Sequence, residues 1–140
     1  MLGMKTYAKD YIDGCRSRVE ADLLAYGILA AVARKQPAGE PALEAFEARF
    51  FNDLVLILDA FFVHRLRTIE GKDGNPLNEV RVLCTSMLEH QNVMTADKTI
   101  KLIPANSVLK YQFGDEIKLT EADFVRLSTA FFAEMETRFL

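Results

Sequence analysis

Between His64 and Arg81 the chain gathers most of the side chains that could do chemistry: His64, Arg65, Arg67, Glu70, Asp73, Asn75, Asn78, Glu79 and Arg81. They sit where two strongly apolar segments meet. Arg65 falls in the same helical sector as Leu54, Leu58 and Phe61, and Arg81 falls among Leu77, Val80, Cys84 and Leu88. A guanidinium on an apolar face must find a carboxylate or expose its tip, because an unpaired buried charge is costly. Glu70, Asp73 and Glu79 are the carboxylates within reach. Two arrangements satisfy that demand. In one, Arg65 and Arg81 form a structural ion-pair network that fixes the turn. In the other, His64, Arg65, Arg67, Glu70, Asn75, Asn78, Glu79 and Arg81 line a site for an anionic small molecule or a phosphate backbone, helped by the free amides at the helix start that follows.

Other chemistry is sparse. No dinucleotide fingerprint, phosphate-binding loop, zinc-protease helix or nucleophile elbow occurs. Two histidines and no clustered thiols leave any metal site dependent on carboxylates such as Asp59, Glu70 or Glu79 beside His64, so neither a metal nor a cofactor is expected. Cys15 and Cys84 lie in helical patterns at no ligand or redox spacing, and no leader segment precedes them. They read as buried thiols of a cytoplasmic protein. A net charge of −3 argues against a general nucleic-acid binder. No apolar run reaches the roughly 20 residues of a membrane span, since Asn52, Asp53, Asp59 and His64 interrupt the longest. Lys98, Lys101, Lys110 and Lys118, interleaved with Tyr111 and Phe113, read as guards on an exposed edge rather than as a nucleic-acid surface.

The elements that must position these residues follow from periodicity. Tyr7, Tyr11, Cys15, Val19, Leu23, Tyr26 and Ala30 make one stripe of a helix from Lys5 to about Lys35. Gln36 to Pro41 breaks it, and a second helix runs from about Pro41 to Thr68. Its apolar positions cover about half the circumference, wider than one bundle face needs, which places it centrally or at a subunit interface. Asn75 and Pro76 have the cap and first-turn chemistry of a third helix ending near Gln91. Residues 99–103 and 108–113 read as two strands around a turn at Pro104–Ser107. Thr120 with Asp123 resembles a capping box with the shorter acid, opening a last helix striped by Phe124, Leu127, Phe131, Phe132, Met135 and Phe139. The expectation is one mainly α domain over 1–140: a bundle of four main helices with a β-hairpin, about 98–119, between the third and fourth. Its large apolar arcs predict a homodimer through the second or fourth helix, with no membrane association.

The stretches HRLRTIEGKDGNPLNEVRVL and FGDEIKLTEADFVRLSTAFFAE, within Phe50–Phe139, resemble an uncharacterised family of small actinobacterial proteins. The segment Cys84–His90 and the elements around it resemble HEPN domains more faintly. In that family a long apolar helix leads to one ending in an Arg-(Asn)-x-His motif, sometimes followed by a hairpin and a final helix. His90 stands at the place of the family's histidine, Cys84 where it has arginine, and Arg81 one turn earlier. That resemblance implies RNA binding or cleavage, with His90 as acid–base group and Arg81 holding phosphate. The residues themselves favour a non-enzymatic binding or interaction protein with its site at the junction of the second and third helices.

Overall fold

The computed structural model describes residues 3–140. Four long helices, α1 (Lys9–Ala33), α2 (Gly39–Phe61), α4 (Pro76–Glu89) and α5 (Glu121–Phe139), are joined by a one-turn helix α3 (Arg67–Glu70) and by irregular connections. Helices α2, α4 and α5 pack on one another, and α1 lies outside them against α2 and α5. Phe51, Phe62, Phe124, Phe131 and Phe139 are fully buried where these helices meet, and every residue of the stripe on α5 is buried. Phe62 meets Tyr7 and Phe132 edge-on, the arrangement that favours aromatic pairs.

Local chemistry sets the ends. Asn75 caps α4 by accepting from the amides of Leu77 at 3.0 Å and Asn78 at 3.2 Å. The capping box at Thr120 and Asp123 is present in both directions, 3.1 Å each way. Gly39 opens α2 so close to the end of α1 that a β-carbon there would lie 1.6 Å from the Ala33 carbonyl oxygen.

Three expectations require correction. Helix α1 starts at Lys9 rather than Lys5, because the chain before it runs extended beside residues 64–66. Met4 N–H donates to His64 O at 2.7 Å, and Leu66 N–H donates to Met4 O at 2.9 Å. Helix α2 stops at Phe61 rather than Thr68; the Arg65 amide turns back onto Phe62 O at 3.0 Å and α3 begins afresh.

The third correction concerns the hairpin. Among the described residues there is no strand, only isolated bridges such as Asp73 with Lys101 and Val93 with Glu116. The amides that would have built a ladder are taken elsewhere. Val108 and Leu109 donate to the Glu79 carboxylate at 2.8 and 2.9 Å, Lys110 to Ser107 Oγ at 2.9 Å, and Thr99 to Asp97 at 2.7 Å. Pro104–Asn106 forms a single 3-10 turn. Ile100 and Leu102 are buried by alternation, as in a strand, yet their segment borders the loop before α4, with Lys101 N–H donating to Lys72 O at 2.7 Å.

Candidate functional site

Glu70, at the end of α3, is fully buried and collects charge from three arginines. Arg81 on α4 donates to it through Nε at 2.8 Å and Nη2 at 3.0 Å, a two-pronged contact. Arg65 donates its Nε to the same carboxylate, and Arg67 Nη1 lies 3.1 Å from Oε1. The Arg65 side chain has no exposed surface. Its remaining nitrogens reach Phe62 O at 3.1 Å and Leu77 O at 3.3 Å, and Nη2 lies 2.9 Å from Asp59 Oδ1. Its guanidinium also sits over the Phe131 ring, 5.6 Å from the centroid. Burial raises the Glu70 pKa, but the hydrogen bond from Arg81 and the charges of Arg65 and Arg81 outweigh it and hold the carboxyl below its ordinary range. Burial would depress Arg81, yet Glu70 more than compensates and raises it.

Side chains also bond the backbone around the cluster. Asn75 Nδ2 donates to Glu70 O at 2.8 Å and to Asp73 Oδ1 at 2.9 Å. Asn78 Nδ2 bridges Gly71 O and Asp73 O at 3.1 and 2.8 Å. Arg138, near the end of α5, reaches across to Ile69 O and Glu70 O at 3.4 and 3.1 Å. Gly71, which ends α3 at φ 81° and ψ −169°, occupies a region essentially reserved for glycine.

The eight residues singled out from the sequence therefore divide. Arg65, Arg67, Glu70 and Arg81 converge, and Asn75 and Asn78 brace the loop that carries Glu70. Glu79 points away, accepting from Val108 and Leu109, and burial lifts its carboxyl above the ordinary range despite those bonds. His64 is exposed and outside the cluster. Arg138 was missed because nothing local marks it: 68 residues separate it from the carbonyl of Glu70 it bonds.

Several clefts lie outside this cluster, and two of them are lined by the histidines, His64 and His90. One, of about 580 Å³, is lined by Met4, Tyr7, Ala8, Tyr11, Ala60, Phe61, Val63 and His64, between the start of α1 and the end of α2. Tyr11 closes part of its floor by donating to Phe61 O. Burial raises the Tyr7 and Tyr11 phenols, so both stay protonated at neutral pH. The other, of about 460 Å³, includes Thr85, His90, Thr95, Asp97, Lys98 and Thr99. Arg81 is not among its walls, being engaged by Glu70.

No family model, curated protein or solved structure matches this chain significantly. Its chemistry therefore rests on its own geometry. Among the described residues no group of three or more His, Cys, Asp or Glu side chains converges to hold a metal ion, and no helix is long and apolar enough to cross a membrane.

Proposed function

We propose that the chain is a non-enzymatic binding protein for a small, mostly apolar molecule carrying one anionic head group, taken up in the cleft beside His64. The observation that carries this reading is the cleft itself. Its volume of about 580 Å³ falls within the range of ligand sites, and its walls are aromatic and aliphatic, with two phenols, Tyr7 and Tyr11, and one imidazole, His64. The junction arginines support the same assignment by exclusion: Glu70 and Asp59 already engage Arg65, and Glu70 holds Arg81 at two points, so these two offer an incoming anion little. Titration with decanoate, followed by nuclear magnetic resonance, tests the proposal. Shifts confined to Tyr7, Tyr11, Phe61 and His64, removed by Val63→Asp, are expected. No saturable shift, or shifts centred on Arg67 and Arg81, would refute it.

A second reading, RNA association of the HEPN kind, draws on the other cleft, where His90 and Lys98 could receive a phosphate beside Asp97, whose carboxylate Thr99 holds. Nine helix positions separate Arg81 from His90, about 13 Å along the axis, so within one chain they do not act on one phosphodiester. This reading is phosphate holding without cleavage. Retention of a short RNA hairpin by the wild type but not by Lys98→Ala with His90→Ala would favour it.

A further inference from the structure

The second half of α1, Leu23–Ala33, is an unbroken run of apolar residues. One side of it is used: Tyr26 and Ala30 are buried against the rest of the molecule. The other side is not. Leu24 is 68% exposed, Ile28 62%, Val32 58% and Leu29 51%, with Ala21, Ala25 and Ala31 also open to solvent. A helix apolar all round belongs in an interior, and a contiguous exposed stripe of this kind marks an interaction surface. The surface continues onto α2 through Phe46, stacked on Tyr26 and 39% exposed.

We propose that this face is covered by the same face of a second copy of the chain, the two α1 helices lying antiparallel about a two-fold axis at Ile28. The pattern is complementary to itself in that arrangement, as an isologous interface demands. Leu24 and Val32 stand four positions before and after Ile28, so each meets the other across the axis. Ala25 and Ala31, three before and three after, meet likewise and let the helices approach closely.

Charge fixes the direction. Glu20 lies eight positions before Ile28 and Lys35 seven after it, both exposed, and neither forms an ion pair among the described residues. Antiparallel packing sets Glu20 of each chain beside Lys35 of the second copy, on both sides of the axis. Parallel packing would set Glu20 against Glu20 and Lys35 against Lys35. Two adjacent helices, each roughly 10 Å wide along an ~18 Å run, offer on the order of 400 Å² per subunit. That is at the low end for specific association, so the dimer forms in a concentration-dependent way.

Sedimentation equilibrium from about 1 μM to about 1 mM, a span wide enough to catch a weak association, tests the proposal. The expected mass rises from 15.8 kDa toward twice that value. Ile28→Asp, at an exposed position, should keep the wild-type melting curve and weaken association by about 100-fold or more, since it places two like charges together on the axis. Glu20→Lys should weaken it by about tenfold, and adding Lys35→Glu should restore it. Ile28→Cys should crosslink on oxidation, because the axis brings the two thiols together. A chain that stays monomeric throughout, or a dimer indifferent to Ile28→Asp, overturns the interface. A dimer that ignores the charge exchange overturns the antiparallel arrangement.

Discussion

Arg65 would be an expensive residue to bury if Glu70 were not beside it, and Glu70 would be as expensive without its arginines. Arg81 supplies two of the hydrogen bonds on that carboxylate while remaining a quarter exposed. Arg81→Ala should therefore cost about 1–3 kcal/mol in urea denaturation, less than loss of a fully buried partner. The pH dependence carries two opposing signatures. Glu70 binds its proton less tightly folded than unfolded, so its contribution is complete above about 4.5 and is lost as pH falls through its depressed value. Glu79 binds its proton more tightly when folded, so it favours the fold below 4.5 and loses that contribution as pH rises through its raised value. Melting temperatures across pH should lose the second limb alone in Glu79→Gln. The Cys84 thiol, pushed far up by burial, should resist alkylation until the protein unfolds. The composition of the cluster was legible because guanidiniums on apolar stripes demand partners. Its closure was not. Whether Arg65 is sealed depends on α2 stopping at Phe61 and on the ring of Phe131, both set by packing that no local pattern encodes.

At the scale of elements, side chains with short-range chemistry kept their predicted roles. Asn75 and Thr120 cap the helices they open because each needs only neighbours two or three residues away. Asn75→Ala should cost about 1–2 kcal/mol, the cap together with its bonds to the Glu70 carbonyl and Asp73, read from the same denaturation curves. The turn between α1 and α2 makes a sharper demand. Gly39→Ala forces a methyl into the Ala33 carbonyl, so it should cost about 1–3 kcal/mol or more although Ala is the better helix former. The hairpin shows the limit of periodicity. Residues 99–113 alternate like strands and bury Ile100 and Leu102, but a strand also needs a ladder partner. Glu79 and Asp97 take the amides first, and a carboxylate 29 residues away from Val108 leaves no trace in the pattern of the segment it caps.

Taken whole, the molecule is a three-helix core with α1 laid against it. That placement leaves one side of α1 in solvent, and it decides where association can occur. The wide apolar arc of α2 pointed to a central position or a subunit interface, and α2 packs on α1, α4 and α5. The uninterrupted run Leu23–Ala33 carried the stronger signal, visible as an absence of any polar face. The proposed ligand cleft and the proposed dimer face use different residues, so decanoate binding should survive Ile28→Asp and dimerisation should survive Val63→Asp. The cleft itself was hidden from the sequence, since it needs the extended N-terminal segment to pair beside residues 64–66.

The Arg65–Glu70–Arg81 cluster locks the segment after α2 to α4 through buried ion pairs. Urea denaturation of Glu70→Gln beside the wild type tests that directly, because the substitution keeps the shape and removes the charge. The structure predicts a loss of about 2–4 kcal/mol, with decanoate affinity unchanged wherever the variant remains folded. A variant as stable as the wild type, with its ligand affinity lost, would contradict the account and return the arginines to the binding site.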